Sequence, residues 1–150
     1  MSKIPLKNVR LSFPSLFTRS TFKGEEGKYE ATFIIDKKDV KTKKAIDEAI
    51  KAALADANIK VPAANYCLKD GDETEYETSQ GKWTIKASSN KRPLVLDKDG
   101  SPLTAEDDAV YAGCYVDAII DIWIQNNSFG KRANANLYGV KFRSAGERLD

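Results

Sequence analysis

The chain contains no histidine. That absence removes the Ser-His-Asp triad, the histidine general base and every zinc site that depends on imidazole. Cysteine is scarce too: Cys67 and Cys114 are the two in 150 residues. They sit in unlike contexts, so no disulfide framework or structural zinc site is expected, and Cys114 reads as a small buried residue within an apolar run. No apolar run approaches the ~20 residues of a membrane-spanning helix. The opening MSKIPLKNVRLSF lacks the continuous apolar stretch of a secretory leader, so the expectation is a protein kept in a cytoplasm, with no membrane partner. There is no P-loop, no G-x-G-x-x-G and no D-x-[DN]-x-[DN]-G calcium loop. Asp117 and Asp121 fall on one strand face, but at ~3.4 Å per residue they lie ~13 Å apart, too far for the ~4 Å ion spacing of a two-metal nuclease. No catalytic residue, cofactor or metal ligand is expected.

What the chain does have is charge in blocks. The net charge is +2, yet residues 1–44 hold eleven Lys and Arg against five Asp and Glu. The segment DGDETEYE holds five acids and no base, and Lys82, Lys86, Lys91 and Arg92 come after it with no acid among them. Residues 97–121 are acidic and 122–148 basic. Blocks of this kind either segregate into basic and acidic faces or only keep the protein soluble.

The length fits one domain, residues 1–150. LKNVRLSF alternates, with Val9, Leu11 and Phe13 on one face and Asn8, Arg10 and Ser12 on the other, and Pro14 ends the strand. Residues 14–27 read as a loop. KYEATFIID is a second strand with Tyr29, Ala31, Phe33 and Ile35 inward. The period then changes to helical over residues 39–59, with Asp39 as N-cap and Asn58 as stop. Short strands are expected near CLKD and TEYE. KWTIKASS is a strand that turns Trp83, Ile85 and Ala87 one way and Thr84, Lys86 and Ser88 the other. Residues 90–109 read as a loop, 110–125 as the longest strand, 126–132 as a hairpin loop and 133–142 as its partner strand. The pattern predicts a mainly β protein with one helix: an OB-fold-like five-stranded antiparallel barrel. The helix comes after the second strand, whereas the common OB layout has it after the third.

Single-stranded nucleic acid needs cations that track phosphates and flat side chains on which bases stack. Three segments offer that pair. Residues 14–27 contain Phe17, Arg19, Phe22 and Lys23; residues 82–92 contain Trp83, Lys86, Lys91 and Arg92; residues 126–132 contain Phe129, Lys131 and Arg132. Arg10, Lys86, Lys91, Arg92, Lys131 and Arg132 are the candidate phosphate contacts, with Arg19 beside them in the first loop. Trp123 and Phe129 are the candidate stacking residues, with Trp83 and Tyr115 in reserve. Taken singly, each lysine is an ordinary solvated side chain. Trp83 shares parity with Ile85 and Ala87 and so leans toward the core. Trp123 faces away from the isoleucine row, which leaves base stacking, a second small core or an oligomer contact open.

The stretches NVRLSFPSLF, KYEATFIID, ASSNKRP, VYAGCYVDAIIDIWIQNN and LYGVKFRSAGERL occur in this order across nearly the whole chain. In order and spacing they resemble the single-stranded DNA-binding proteins of tailed bacteriophages, a family once classed as a domain of unknown function and similar in fold to the OB-fold replication proteins of podovirus-type phages. The resemblance implies a non-catalytic protein that coats ssDNA in phage replication, recombination or repair in the bacterial host cytoplasm, with phage replication or recombination proteins as further partners. Such proteins often carry an acidic C-terminal tail that recruits partners; this sequence stops at GERLD. The competing expectation is an OB-like adaptor that binds a protein through Tyr115, Ile119 and Trp123 and binds no nucleic acid.

Overall fold

The computed structural model describes residues 3–19, 21–22, 25–73, 79–107, 109–128 and 130–149. Among these, nine strands and one α-helix carry the fold: β1 (Ile4–Ser15), β2 (Thr21–Phe22), β3 (Glu25–Glu26), β4 (Tyr29–Asp36), α1 (Val40–Ala57), β5 (Leu68–Asp70), β6 (Lys82–Ser89), β7 (Leu94–Leu96), β8 (Tyr115–Asn127) and β9 (Gly130–Ser144). The five long strands are the five that alternation locates. They do not form an antiparallel five-stranded barrel. β5-β6-β4-β1-β8-β9-β7 is one seven-stranded sheet, which bends until β6 also pairs with β9. That closing contact is parallel and short, Ala87 to Ala135 and Ser88 to Asn136. β7 also pairs parallel to β9. The result is a partial ring of β1, β4, β6, β9 and β8 with an extra strand at each sheet edge.

The inner face is continuous. Leu6, Val9 and Leu11 from β1, Phe33 and Ile35 from β4, Ile85 from β6, Val116 and Ile120 from β8 and Leu137 from β9 are fully buried. Each such side chain contributes about 1.5–3 kcal/mol by leaving water. α1 lies against β8 and β1 and buries Ile46 and Ile50. Its ends are those the sequence marks. Asp39 Oδ1 accepts from the Thr42 N–H at 3.2 Å, and Asn58 takes a left-handed φ of 53° to close the last turn.

Five local expectations change. Phe13 does not join Val9 and Leu11 inside. The register of β1 shifts between Ser12 and Ser15, Phe13 adopts φ 46°, and its side chain is 56% exposed; a bulge reverses the parity of the residues beyond it. β8 begins at Tyr115: residues 112–113 turn, and the segment before the strand meets β1 at Leu11, whose N–H donates to the Cys114 carbonyl at 2.9 Å and whose carbonyl accepts from the Gly113 N–H at 2.8 Å. The hairpin expected over 126–132 is tighter: β8 runs to Asn127 and β9 starts at Gly130, so Lys131 and Arg132 are strand residues. The first loop contains the β2–β3 hairpin, and β7 arises inside the presumed loop 90–109. β7 has three residues and no alternation to reveal it. It packs because Gly139 lets Leu94 approach: a Cβ there would stand 3.1 Å from the Leu94 carbonyl oxygen. The expected CLKD strand is β5, and the TEYE segment lies outside the described residues.

Candidate nucleic-acid interface

β4 and β6 pair in unbroken register from Tyr29–Ser89 to Asp36–Lys82. Alternation therefore puts Glu30, Thr32 and Ile34 beside Ser88, Lys86 and Thr84 on the outer face. β1 extends this row, with Ser12 across from Thr32 and Arg10 across from Ile34. The face is the floor of a groove of about 760 Å³. Phe13 lines it from the bulge of β1, Gly27 and Lys28 from the β1–β4 connection, Tyr66, Cys67 and Lys69 from the segment before and within β5, and Trp123, Gln125, Arg132 and Asn134 from the β8–β9 hairpin.

Four cations, Lys28, Lys69, Lys86 and Arg132, and three aromatics, Phe13, Tyr66 and Trp123, thus line one trough. Between them the floor carries Ser12, Thr32, Thr84 and Ser88 together with Glu30, Ile34 and Lys86. Lys28 Nζ stands 5.9 Å from the centre of the Trp123 ring, within cation–π range. Lys86 Nζ pairs with Glu30 Oε2 at 3.2 Å. The Asn134 amide donates to Gln125 Oε1 at 3.0 Å, which holds the wall beside Trp123. Tyr66 bridges to Ala133, and the Cys67 N–H donates to the Ala133 carbonyl at 2.8 Å. These bonds fasten the segment before β5 to β9. Burial pushes the Cys67 thiol up to about 11, so it is a neutral wall residue at physiological pH and not a nucleophile. Among the described residues no cluster of three or more Cys, Asp and Glu converges on a metal-sized site, and no helix is long and apolar enough to cross a membrane.

Of the residues singled out from sequence, Lys86, Trp123 and Arg132 line the groove. Lys131 is the exposed neighbour of Arg132 on the opposite parity, and its carbonyl accepts from Asn65 Nδ2 at 3.0 Å. Arg10 and Tyr115 sit across from each other on β1 and β8, beyond the groove lining. The Arg10 guanidinium stacks 5.9 Å from the Tyr115 ring and donates to the carbonyls of Gly113 and Glu147 at 3.1 and 2.7 Å, which straps the C-terminal segment down. Gly113, at φ 112°, is required there, since a Cβ would meet the Glu147 carbonyl at 2.0 Å.

Arg19 donates to the Gly27 carbonyl at 3.1 Å and to the Asn90 carbonyl at 2.6 Å, with its guanidinium 5.1 Å from the Tyr29 ring. It ties the first loop to the corner where Lys91 and Arg92 project. Arg92 lies 5.3 Å from the Phe17 ring, and the Lys91 N–H donates to Ser89 Oγ at 3.1 Å. The cationic end of β6 is therefore held beside Gly27 at one end of the groove.

Trp83 goes elsewhere. It shares the inner parity of β6, packs partly buried against the core, and carries Lys37 and Lys43 over its ring at 4.8 and 4.6 Å. Phe129 lies outside the described residues. Phe13, Lys28, Tyr66 and Lys69 are groove residues that sequence reasoning missed. Pro14, directly after Phe13, was the one local sign of a break in β1; the segment holding Tyr66 and Lys69 has no periodicity to read.

Comparison with known proteins identifies a family for the chain. The model of the family described as "Enterobacter phage Enc34, ssDNA-binding protein" matches residues 2–150. Putative protein p50 of Acyrthosiphon pisum secondary endosymbiont phage 1 is 37% identical over 157 residues, covering 97% of this chain and 85% of that protein. The solved structure of the bacteriophage Enc34 single-stranded DNA-binding protein in complex with ssDNA superposes with a TM-score of 0.92 at 34% identity, over 99% of this chain and 89% of that one. Bacteriophage T7 gp2.5, a single-stranded DNA-binding protein, shares the fold at a TM-score of 0.65 and 14% identity, over 98% of this chain and 94% of that one. The chain belongs to the family of the Enterobacter phage Enc34 ssDNA-binding protein.

Proposed function

We propose that this protein binds single-stranded DNA with little sequence preference, along the groove over β4 and β6. One observation carries the reading: Lys28, Lys69, Lys86 and Arg132 surround Phe13, Tyr66 and Trp123 in one trough. Cations along a groove track phosphates, and each aromatic ring accepts any base, since every base has a π-face. Bases splayed onto such rings are those of a single strand; a duplex keeps them stacked.

The partial ring supports an OB-like reading of residues 1–150 as one domain. In chain order β1, β4, β6, β8 and β9 stand as the five strands of a partly open barrel, and the groove lies on the second and third, the face that OB-folds use for oligonucleotides. α1 falls between those two strands and packs against β8 and β1 instead, which leaves their outer face uncovered. A coating role in phage replication, recombination or repair, without catalysis and in the host cytoplasm, fits the family. The adaptor reading has less support. Its anchors Tyr115, Ile119 and Trp123 do not form one open face, because between Ile119 and Trp123 the side chain of Asp121 is 3% exposed and bonded to the Tyr138 hydroxyl at 3.1 Å.

The test is a titration of intrinsic tryptophan fluorescence with oligo-dT at low and high salt, against duplex DNA. Quenching by dT that weakens with salt and exceeds the duplex response is the expected result. No quenching together with no mobility shift of labelled dT overturns the reading.

A further inference from the structure

Glu30 is the one carboxylate among the described residues that line the groove. It projects from β4 onto the floor where a polyanion would lie. Its side chain is 24% exposed against 62% for Lys86, to which it pairs at 3.2 Å. On β4–β6 the two are diagonal neighbours: Glu30 is across from Ser88, and Lys86 is across from Thr32. The pair is therefore not imposed by direct cross-strand register; it forms because both side chains reach into the trough. A partly exposed ion pair of this kind is weak, and a phosphate oxygen offers Lys86 a charge-assisted bond of the same type.

We propose that Glu30 is an internal counter-ion of the groove: it holds Lys86 while the groove is empty and competes with a backbone phosphate for that ammonium, limiting ssDNA affinity and keeping the coat reversible. The proposal rests on the ssDNA reading above. A lysine already neutralised by a carboxylate neutralises one phosphate less, so Glu30 flattens the salt dependence as well as weakening binding. Repulsion between the carboxylate and a phosphate a few ångströms away acts in the same direction.

The experiment is an oligo-dT titration over a range of salt with the wild-type chain, Glu30→Gln, Lys86→Gln and the double variant, each checked by circular dichroism. Glu30→Thr, a good strand residue, serves if Glu30→Gln folds poorly. Glu30→Gln is expected to bind dT about tenfold more tightly at low salt, with a log–log salt slope steeper by about 0.7, the value of one added phosphate contact on a single strand. In the Lys86→Gln background the slope should barely move, because no cation is released. A carboxylate that only supported the strand would change the melting temperature and leave the slope alone. Wild-type protein that binds dT, with Glu30→Gln binding no more tightly and at an unchanged slope, overturns the proposal while the ssDNA reading stands. Wild-type protein that fails to bind dT overturns both.

Discussion

Lys28 lies over the indole of Trp123, with its ammonium 5.9 Å from the ring centre, at the mouth of a groove lined by three further cations. The ring is thus covered by a long cationic side chain and not by core. On the proposed reading, a base would displace the lysine from the indole face, and the lysine would turn to the phosphate that arrives with the base.

The two tryptophans should consequently respond differently to ssDNA. Trp123→Phe is expected to remove most of the quenching by oligo-dT, and Trp123→Ala to weaken binding by about 1–3 kcal/mol. Trp83→Phe should leave the quenching in place, because Trp83 is flanked by Lys37 and Lys43 on the core side of β6. Loss of quenching in Trp83→Phe with retention in Trp123→Phe would reverse the assignment.

Arg132 reaches the groove wall from β9, and on the proposed ssDNA path it would meet a phosphate. Arg132→Gln should reduce the log–log salt slope for dT binding by about 0.7 and weaken binding equally for dT and mixed-sequence strands. Lys44→Gln, on the exposed side of α1 and paired with Glu48 at 3.9 Å, is the control and should leave the slope unchanged.

Asp121 ties stability to a bulge. β9 shifts register between Gly139 and Leu137 opposite Ile119 and Ile120, and the extra residue, Tyr138, places its hydroxyl on Asp121 Oδ2 at 3.1 Å. Tyr138→Phe leaves a buried carboxylate without that donor and should cost about 1–3 kcal/mol in urea unfolding. Affinity for dT should not change, since neither residue lines the groove. An unchanged unfolding midpoint would mean that water replaces the hydroxyl.

Asp117 should contribute to acid unfolding. Burial pushes its carboxyl up, but the Asn8 N–H and the Arg143 guanidinium outweigh burial and hold it below its usual value. Both bonds are short, 2.8 Å from Asn8 and 2.9 Å from Arg143. A carboxylate depressed in the folded state stabilises above its unfolded pKa of ~3.9 and loses that contribution as pH falls through the folded value. Asp117→Asn should therefore be less stable than wild type at neutral pH, with the difference shrinking below about pH 4 in thermal melts across pH. A difference that stays constant with pH would remove the carboxylate from the acid response.

Much of the fold is local information. Alternation located all five ring strands because each holds one face against a continuous core, as Phe33 and Ile35 do on β4. The change from period two to helical spacing, with Asp39 and Asn58 at its ends, located α1 for the same reason: caps and stripes are properties of neighbouring residues. Of the groove, Lys86 was legible because it faces away from Ile85 and Ala87, and Trp123 because it faces away from Ile122 and Ile124. What only the tertiary structure decided depends on pairing between distant segments. A bulge in β1 turned Phe13 outward. Extension of β9 to Gly130 separated Lys131 from Arg132. The core side of β6 took Trp83 under two lysines, the bridge to Ala133 brought Tyr66 to the groove wall, and pairing with Thr84 on β6 brought Lys69 there. Side-chain period is fixed by the chain itself, but register, bulges and ring closure depend on which strand lies alongside, and that partner is set by the packing of the whole core.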